Sequence, residues 1–266
     1  MTGRSPHPID GFSGAADADL DTDAQRTFED AYRRLVAYRG GGGDPADPGD
    51  VLAMQMVIRI EKSQPPARAD ALTAAARAVA LLCLDDRAGG AGPWVSDLDA
   101  WCGARIRKIA RRARGAQWAA AQEVWGLTVD TGSAQARALV PGRVGDVDRR
   151  IARLQIGGTD LDGSLSTQAP DGGVCLWVNP DLPMTVGKAA AQVGHASMLA
   201  VKSMTLEQAW EWRSAGCPLV VREASGPRWV DLVKADARGA AIAVRDAGFT
   251  EIAPGSVTVI AEVTDR

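Results

Sequence analysis

Met184-Thr185-Val186-Gly187-Lys188-Ala189-Ala190-Ala191-Gln192-Val193-Gly194-His195-Ala196 is the stretch around which the chain is organised. A mostly apolar run, Gly173 to Val178, precedes it and ends at the breaker Asn179-Pro180, so a strand is expected there. Thr185 is placed to cap a helix begun by Val186, Gly187 and Lys188. A lysine in a first turn opposes the helix dipole. With the free amides of that turn it forms a ready site for a phosphate or a developing oxyanion. The residues that follow are small, which lets the helix lie close to a sheet. Lys188, Gln192 and His195 share one helical face at i, i+4 and i+7. The same spacing suits an Ala-rich packing helix with a solvated lysine, and spacing alone does not separate the two.

A second stretch, Asp246-Ala247-Gly248-Phe249-Thr250-Glu251-Ile252-Ala253-Pro254-Gly255-Ser256, follows a short apolar strand, Ala241 to Val244. Asp246 and Thr250 bracket a glycine turn, Pro254-Gly255 makes another, and Ser256 to Val263 alternates as a final strand.

Together the two stretches resemble the type 2 peptidyl-tRNA hydrolase family. The matching residues are Met184, Gly187, Lys188, Ala190, Ala191, Gln192, His195 and Ala196, then Asp246, Ala247, Gly248, Thr250, Ile252, Pro254, Gly255, Ser256 and Thr258. Two long motifs in the right order are a specific signal. The resemblance implies hydrolysis of the ester joining a peptide to the 3′ ribose of tRNA, with no metal or organic cofactor. It implies Lys188, Asp246 and Thr250 as catalytic residues, with Gln192, His195 and Gly187 supporting the substrate. Three positions depart from the family pattern: Val186, Phe249 and Asn179 stand where basic residues are common.

Each of these residues also has a plainer reading. Asp246 suits an Asx-turn cap before Ala-Gly. Thr250 can hold a water or only close the turn. Gln192 can bind a substrate amide or orient Lys188. His195, two turns into a helix of small residues, reads better as a buried structural histidine than as a general base. No Ser-His-Asp order supports a covalent route, so direct attack by water is the expected chemistry.

The composition, with 266 residues of which 46% are hydrophobic and 24% charged, allows two small domains. Cys83, Cys102, Cys175 and Cys217 lack metal or CxxC spacing, which points to reduced thiols and a cytoplasmic location. No apolar run is long enough for a membrane span, and two histidines make metal catalysis a poor fit.

In chain order, residues 1–50 read as a disordered lead to about residue 22, an amphipathic helix from Asp23 to Arg39, and a Gly-rich linker. Residues 51–156 give β-α-α-β-α-β-β, residues 157–172 an acidic surface crossing, and residues 173–266 the same element order again. Arg111, Ala113, Gly115 and Trp118 match Arg222, Ala224, Gly226 and Trp229 at one offset, and Pro141-Gly142 matches Pro254-Gly255 after a two-residue shift. The expected fold is therefore α/β, as two tandem units of this type, each a small mixed sheet flanked by helices.

The first unit reads as a degenerate copy. Arg68, Leu72 and Ala75 fall opposite Lys188, Gln192 and His195, and Ser133 and Arg137 fall in place of Asp246 and Thr250. Family members commonly pair, which implies an intramolecular pseudo-dimer. The net charge of −3 suits a tRNA partner poorly. However, Arg105, Arg107, Lys108, Arg111, Arg112 and Arg114 cluster in the first unit, either to bind the tRNA backbone or to guard a strand edge. Among the tryptophans, Trp118 and Trp229 are expected to pack, Trp177 to cover a buried sheet face, and Trp210 and Trp212 to point to opposite sides of one helix. The expected activity is peptidyl-tRNA hydrolysis; the alternative is an inactive RNA-binding module with the same fold.

Overall fold

The computed structural model describes residues 14–40, 42–157, 160–246, 248 and 252–264, with side chains from residue 23 onward. Helix α1 spans Gly14–Ala37, so residues 14–22 are helical rather than part of a disordered lead. The run Ala15-Ala16-Asp17-Ala18 explains the difference: alanine favours helix, and acidic residues near its start complement the dipole. Residues 1–13, including His7, lie outside the described residues.

The first unit comprises β1 (Leu52–Arg59), α2 (Arg68–Cys83), α3 (Val95–Gly103), β2 (Arg107–Ala113), α4 (Gly115–Gln122), β3 (Gly126–Thr131), β4 (Ala134–Leu139), β5 (Gly142–Arg143) and α5 (Arg149–Ala152). The second comprises β6 (Gly173–Val178), α6 (Val186–Ala200), α7 (Leu206–Ser214), β7 (Leu219–Glu223), α8 (Gly226–Ala237), β8 (Ile242–Arg245) and β9 (Val257–Thr264). The sheets run β2-β1-β4-β3 and β7-β6-β9-β8. In each, the first two strands pair in parallel and the others antiparallel. The fold is therefore α/β, with two mixed sheets of one topology flanked by helices.

Helices α2 and α6 pack on each other between the sheets, and each also reaches the parallel edge strand of the other unit, β7 for α2 and β2 for α6. One apolar core runs through both units, from Met54, Met56 and Ile58 through the two helices to Leu176, Val259 and Ala261. Small residues permit this approach. A Cβ at Gly194 would meet Val79 Cγ2 at 3.0 Å and Met56 Cε at 3.3 Å. Ser197, fully buried, donates its hydroxyl to the Ala76 carbonyl at 2.7 Å. The outer sheet faces have their own covers: Trp118 packs with Val57 and Ile151 on one, and Trp177 with Leu232 and Ile260 on the other. Trp212 is buried with its indole N–H on the Pro218 carbonyl, whereas Trp210 leans edge-on against Phe28 of α1 with centroids 5.0 Å apart.

The register corrects two alignments. Val57 pairs with Arg111 and Arg137, and Trp177 pairs with Arg222 and Ile260. Arg111 and Arg222 are thus equivalent, as their shared offset suggested. Arg137, however, corresponds to Ile260, and across the register shift after Val244 Arg245 pairs with Val257 as Thr131 pairs with Ala134, which sets Gly132, not Ser133, against Asp246. The cause is a length difference: β3 and β4 join through Gly132-Ser133, whereas ten residues separate Asp246 from Val257. The Pro-Gly match also fails, because Pro141 follows β4 while Pro254 precedes its counterpart β9. The expected surface crossing at 157–172 is anchored in the core by Leu161 and Leu165, exposed by only 6% and 5%.

Candidate active site

Thr185 caps α6, its hydroxyl accepting from the Lys188 amide at 3.3 Å. This fixes the first turn and sends Lys188, Gln192 and His195 along one face into a cleft of about 770 Å3. The floor is completed by Asp246, at the end of β8. Asp246 is 6% exposed, and its carboxylate is shared by two tasks. Oδ1 accepts from the Gly248 amide at 2.8 Å, the Asx turn read from sequence. Oδ2 meets the Lys188 ammonium and, at 2.7 Å, the Gln192 amide. Thr258 of β9, fully buried, lies 2.8 Å from Gln192 Oε1 and fixes which way the amide faces. The Asx turn and the ion pair with Lys188 therefore coexist on one carboxylate. Lys188 is an ion-pair partner, not a solvated lysine.

The opposite wall comes from the first unit. Arg105, Arg107 and Lys108, at the start of β2, line the same cleft, as does Tyr38 just after α1. Gly187 sits where α6 abuts this wall, with a Cβ there 3.4 Å from the Ile156 carbonyl. Lys108 runs inward, its Nζ 3.3 Å from Met198 Sδ and 4.8 Å from the Trp101 ring centroid. Burial pushes its amine down to about 8. His195 is half-buried beside Tyr38, and its Nε2 is enclosed with no hydrogen-bond partner. Burial, then the charges of Lys108 and Lys202, hold its pKa well below the usual imidazole value. A neutral imidazole of that kind is a weak base.

Some expected site residues are not brought here. Arg111 is 8% exposed and gives its N–H groups to Gln55 Oε1 at 2.7 Å and the Leu154 carbonyl at 3.0 Å, so it braces the unit instead of facing a substrate. Arg112 bonds Gln155, and its backbone bridges to the same residue along the β2 edge. Thr250 and Phe249 lie outside the described residues. Tyr38 and Thr258 also belong to this site, and the sequence alone does not single them out for it. Thr258 stands in the second motif, but its inward direction shows only once β8 and β9 pair. Tyr38 carries no local signal at all.

At two of the three positions where the resemblance implies a basic residue, the residue present has a structural role. Val186 is 1% exposed and packed in the shared core, where an ammonium would be costly. Asn179 ties the end of β6 to its surroundings, donating to the Val257 carbonyl at 2.8 Å and accepting from the Asp181 amide at 2.9 Å. The cysteines are free thiols, and burial raises Cys83 and Cys175 to about 12. Among the described residues no group of three or more His, Cys, Asp or Glu side chains is placed to hold a metal ion, and no helix is long and apolar enough to cross a membrane.

Comparison with known proteins gives the same reading for the second unit. The family model described as Peptidyl-tRNA hydrolase PTH2 matches residues 173–263. The peptidyl-tRNA hydrolase of Haloquadratum walsbyi is 38% identical over 84 residues, covering 30% of this chain and 75% of the relative. That of Thermococcus sibiricus is 37% identical over 90 residues, covering 32% and 76%. The human mitochondrial peptidyl-tRNA hydrolase 2 is 34% identical over 108 residues, covering 38% and 60%. The matched stretch holds α6 with its Lys188–Gln192–His195 face and the strand end bearing Asp246, and on that ground the chain belongs to the peptidyl-tRNA hydrolase 2 family.

Proposed function

We propose that this chain hydrolyses the ester between a peptide and the 3′ ribose of tRNA in the cleft where its two units meet. The observation that carries the reading is the meeting of Lys188, Gln192 and Asp246 on one carboxylate oxygen at the cleft floor. Ester hydrolysis needs an oriented water, a counter-charge for the oxyanion and a proton for the leaving oxygen. Asp246 takes a proton from water as the water oxygen attacks the ester carbon. Lys188, already within reach of that carboxylate, balances the oxyanion. When the carbon–oxygen bond to the ribose breaks, Asp246 returns the proton to the ribose oxygen. Gln192 keeps Oδ2 aimed into the cleft, and neutral His195 offers hydrogen bonding rather than base catalysis. Thr250 is assigned to the water through its place in the motif, and no metal or cofactor enters.

The same strand order in both sheets supports an internal duplication of the unit, with residues 51–156 and 173–266 as the copies and 157–172 between them. The α2–α6 contact and the reciprocal reach to β7 and β2 support an intramolecular pseudo-dimer. Arg68, Leu72, Ala75 and Gly132 take the places of Lys188, Gln192, His195 and Asp246, so the first copy carries no second site. Free thiols accord with a cytoplasmic place of work.

The test is hydrolysis of an N-blocked aminoacyl-tRNA by the wild type, Lys188→Ala and Asp246→Asn. Turnover that both variants lose supports the reading. Tight, salt-sensitive tRNA binding without turnover would favour the RNA-binding module instead.

A further inference from the structure

The first unit has lost the residues of a site, yet it presents a basic wall to the second unit's cleft. Arg105 is well exposed and Arg107 less so, with 43% and 20% of their side chains accessible. Between them sits a carboxylate from a third segment. Asp44, on the connection from α1 to β1, accepts from Arg107 at 2.8 Å and lies 3.6 Å from Arg105. A carboxylate between two guanidinium groups offers them the charge and the paired oxygens that a phosphodiester would. The Asp44 side chain is 35% accessible, so an incoming anion can reach the same two guanidinium groups. Lys108 follows directly on the same strand, and among the described residues it has no carboxylate partner.

We propose that Arg105 and Arg107, backed by Lys108, form a subsite for a phosphodiester of the tRNA acceptor tail, and that Asp44 is an internal stand-in which the substrate displaces. The inference rests on the hydrolase reading for the identity of the phosphate. It gives the degenerate unit a task in substrate capture. It also shows how an acidic chain meets an anionic substrate: the local field is positive, but one carboxylate blunts it until the tail arrives.

The experiment compares the full-length wild type with Asp44→Asn, Arg107→Gln and the double variant, with Asp162→Asn as a charge-matched control in the exposed connection between units. KM and kcat are measured on peptidyl-tRNA. Displacement of a labelled CCA-ended RNA is read separately, so the subsite is tested even if no turnover is found. Asp44→Asn is expected to lower KM and the RNA dissociation constant about 3- to 10-fold, with the change on KM rather than kcat. Arg107→Gln is expected to raise both by a similar factor, and the gain from Asp44→Asn to vanish in the double variant. A gain equal to that of Asp162→Asn, or one that persists without Arg107, overturns the proposal, since either marks a general charge effect. Displacement of the RNA by inorganic phosphate as effectively as by CCA trinucleotide assigns the site to free phosphate and overturns the tRNA assignment.

Discussion

Gln192 Nε2 lies 2.7 Å from Asp246 Oδ2, the oxygen that also meets Lys188, and Thr258 holds the other end of the same amide at 2.8 Å. The carboxylate is thus oriented by a chain that runs from β9 through α6 to the end of β8. Gln192→Leu installs the residue found at the equivalent place in the first unit, Leu72. It removes one donor from Asp246 and leaves the buried Thr258 hydroxyl only the longer bond to the Val244 carbonyl at 3.3 Å. We expect kcat to fall about 10- to 100-fold and stability to drop by about 1–2 kcal/mol. Steady-state kinetics and urea unfolding check both, and a variant with unchanged kcat would remove Gln192 from the site.

Asp246 has two separable duties, and two substitutions divide them. Asp246→Asn keeps an oxygen for the Gly248 amide and loses the charge facing Lys188. It is expected to lose roughly 100-fold or more in kcat while folding normally. Asp246→Ala loses the turn as well, and its melting temperature should lie clearly below that of Asp246→Asn. Equal melting temperatures would show that the Asx turn contributes nothing.

Lys108 is expensive to fold around. Its folded pKa of about 8 lies below the unfolded lysine value of about 10.4. Between those values the unfolded chain binds the extra proton, so stability rises with pH from about 8 to about 10.4 and carries a constant penalty below 8. Lys108→Met should remove that slope and stabilise the protein at pH 7 by on the order of 2 kcal/mol, the Trp101 and Met198 contacts offsetting part of the burial cost. It should also weaken RNA binding. Thermal unfolding across pH 7 to 10.5, with wild type alongside, provides the check.

Gly194→Ala probes the seam between the units. The added methyl would press on Val79 Cγ2 at 3.0 Å, Met56 Cε at 3.3 Å and Lys108 Cδ at 3.4 Å. Overpacking costs about 1–3 kcal/mol, and better helix propensity returns about 1. A net loss of about 1 kcal/mol in chemical unfolding is expected; a gain would mean that α2 and α6 have room to part.

Residues 173–266 made alone should aggregate or self-associate, because α6 would expose the face it buries on α2. Co-expression with residues 1–172 should return a soluble complex. Sedimentation of the second piece as a stable monomer would contradict the shared core.

Strand and helix positions were legible because apolar alternation and small-residue periodicity act within a few residues. The Lys188–Gln192–His195 face was legible for the same reason. What eluded the sequence depends on distance or on loop length. A linear offset sets Ser133 and Arg137 against Asp246 and Thr250 because it cannot see that one hairpin connection is two residues and the other eleven. Leu161 and Leu165 are two apolar residues in an acidic, Gly-rich run, and only the assembled core shows that it needs them. The basic run on β2 pointed to a partner, but that half of it faces the second unit's cleft while Arg111 turns inward follows from packing.

The units share a topology but only one holds Lys188, Gln192 and Asp246 together, and this has a consequence for stoichiometry. A pair of equal copies would present two clefts and take two acceptor ends. Among the described residues that trio meets in one cleft, walled by both units, so a tRNA titration should saturate at one equivalent per chain. Turnover per chain cannot be doubled by occupying the other face.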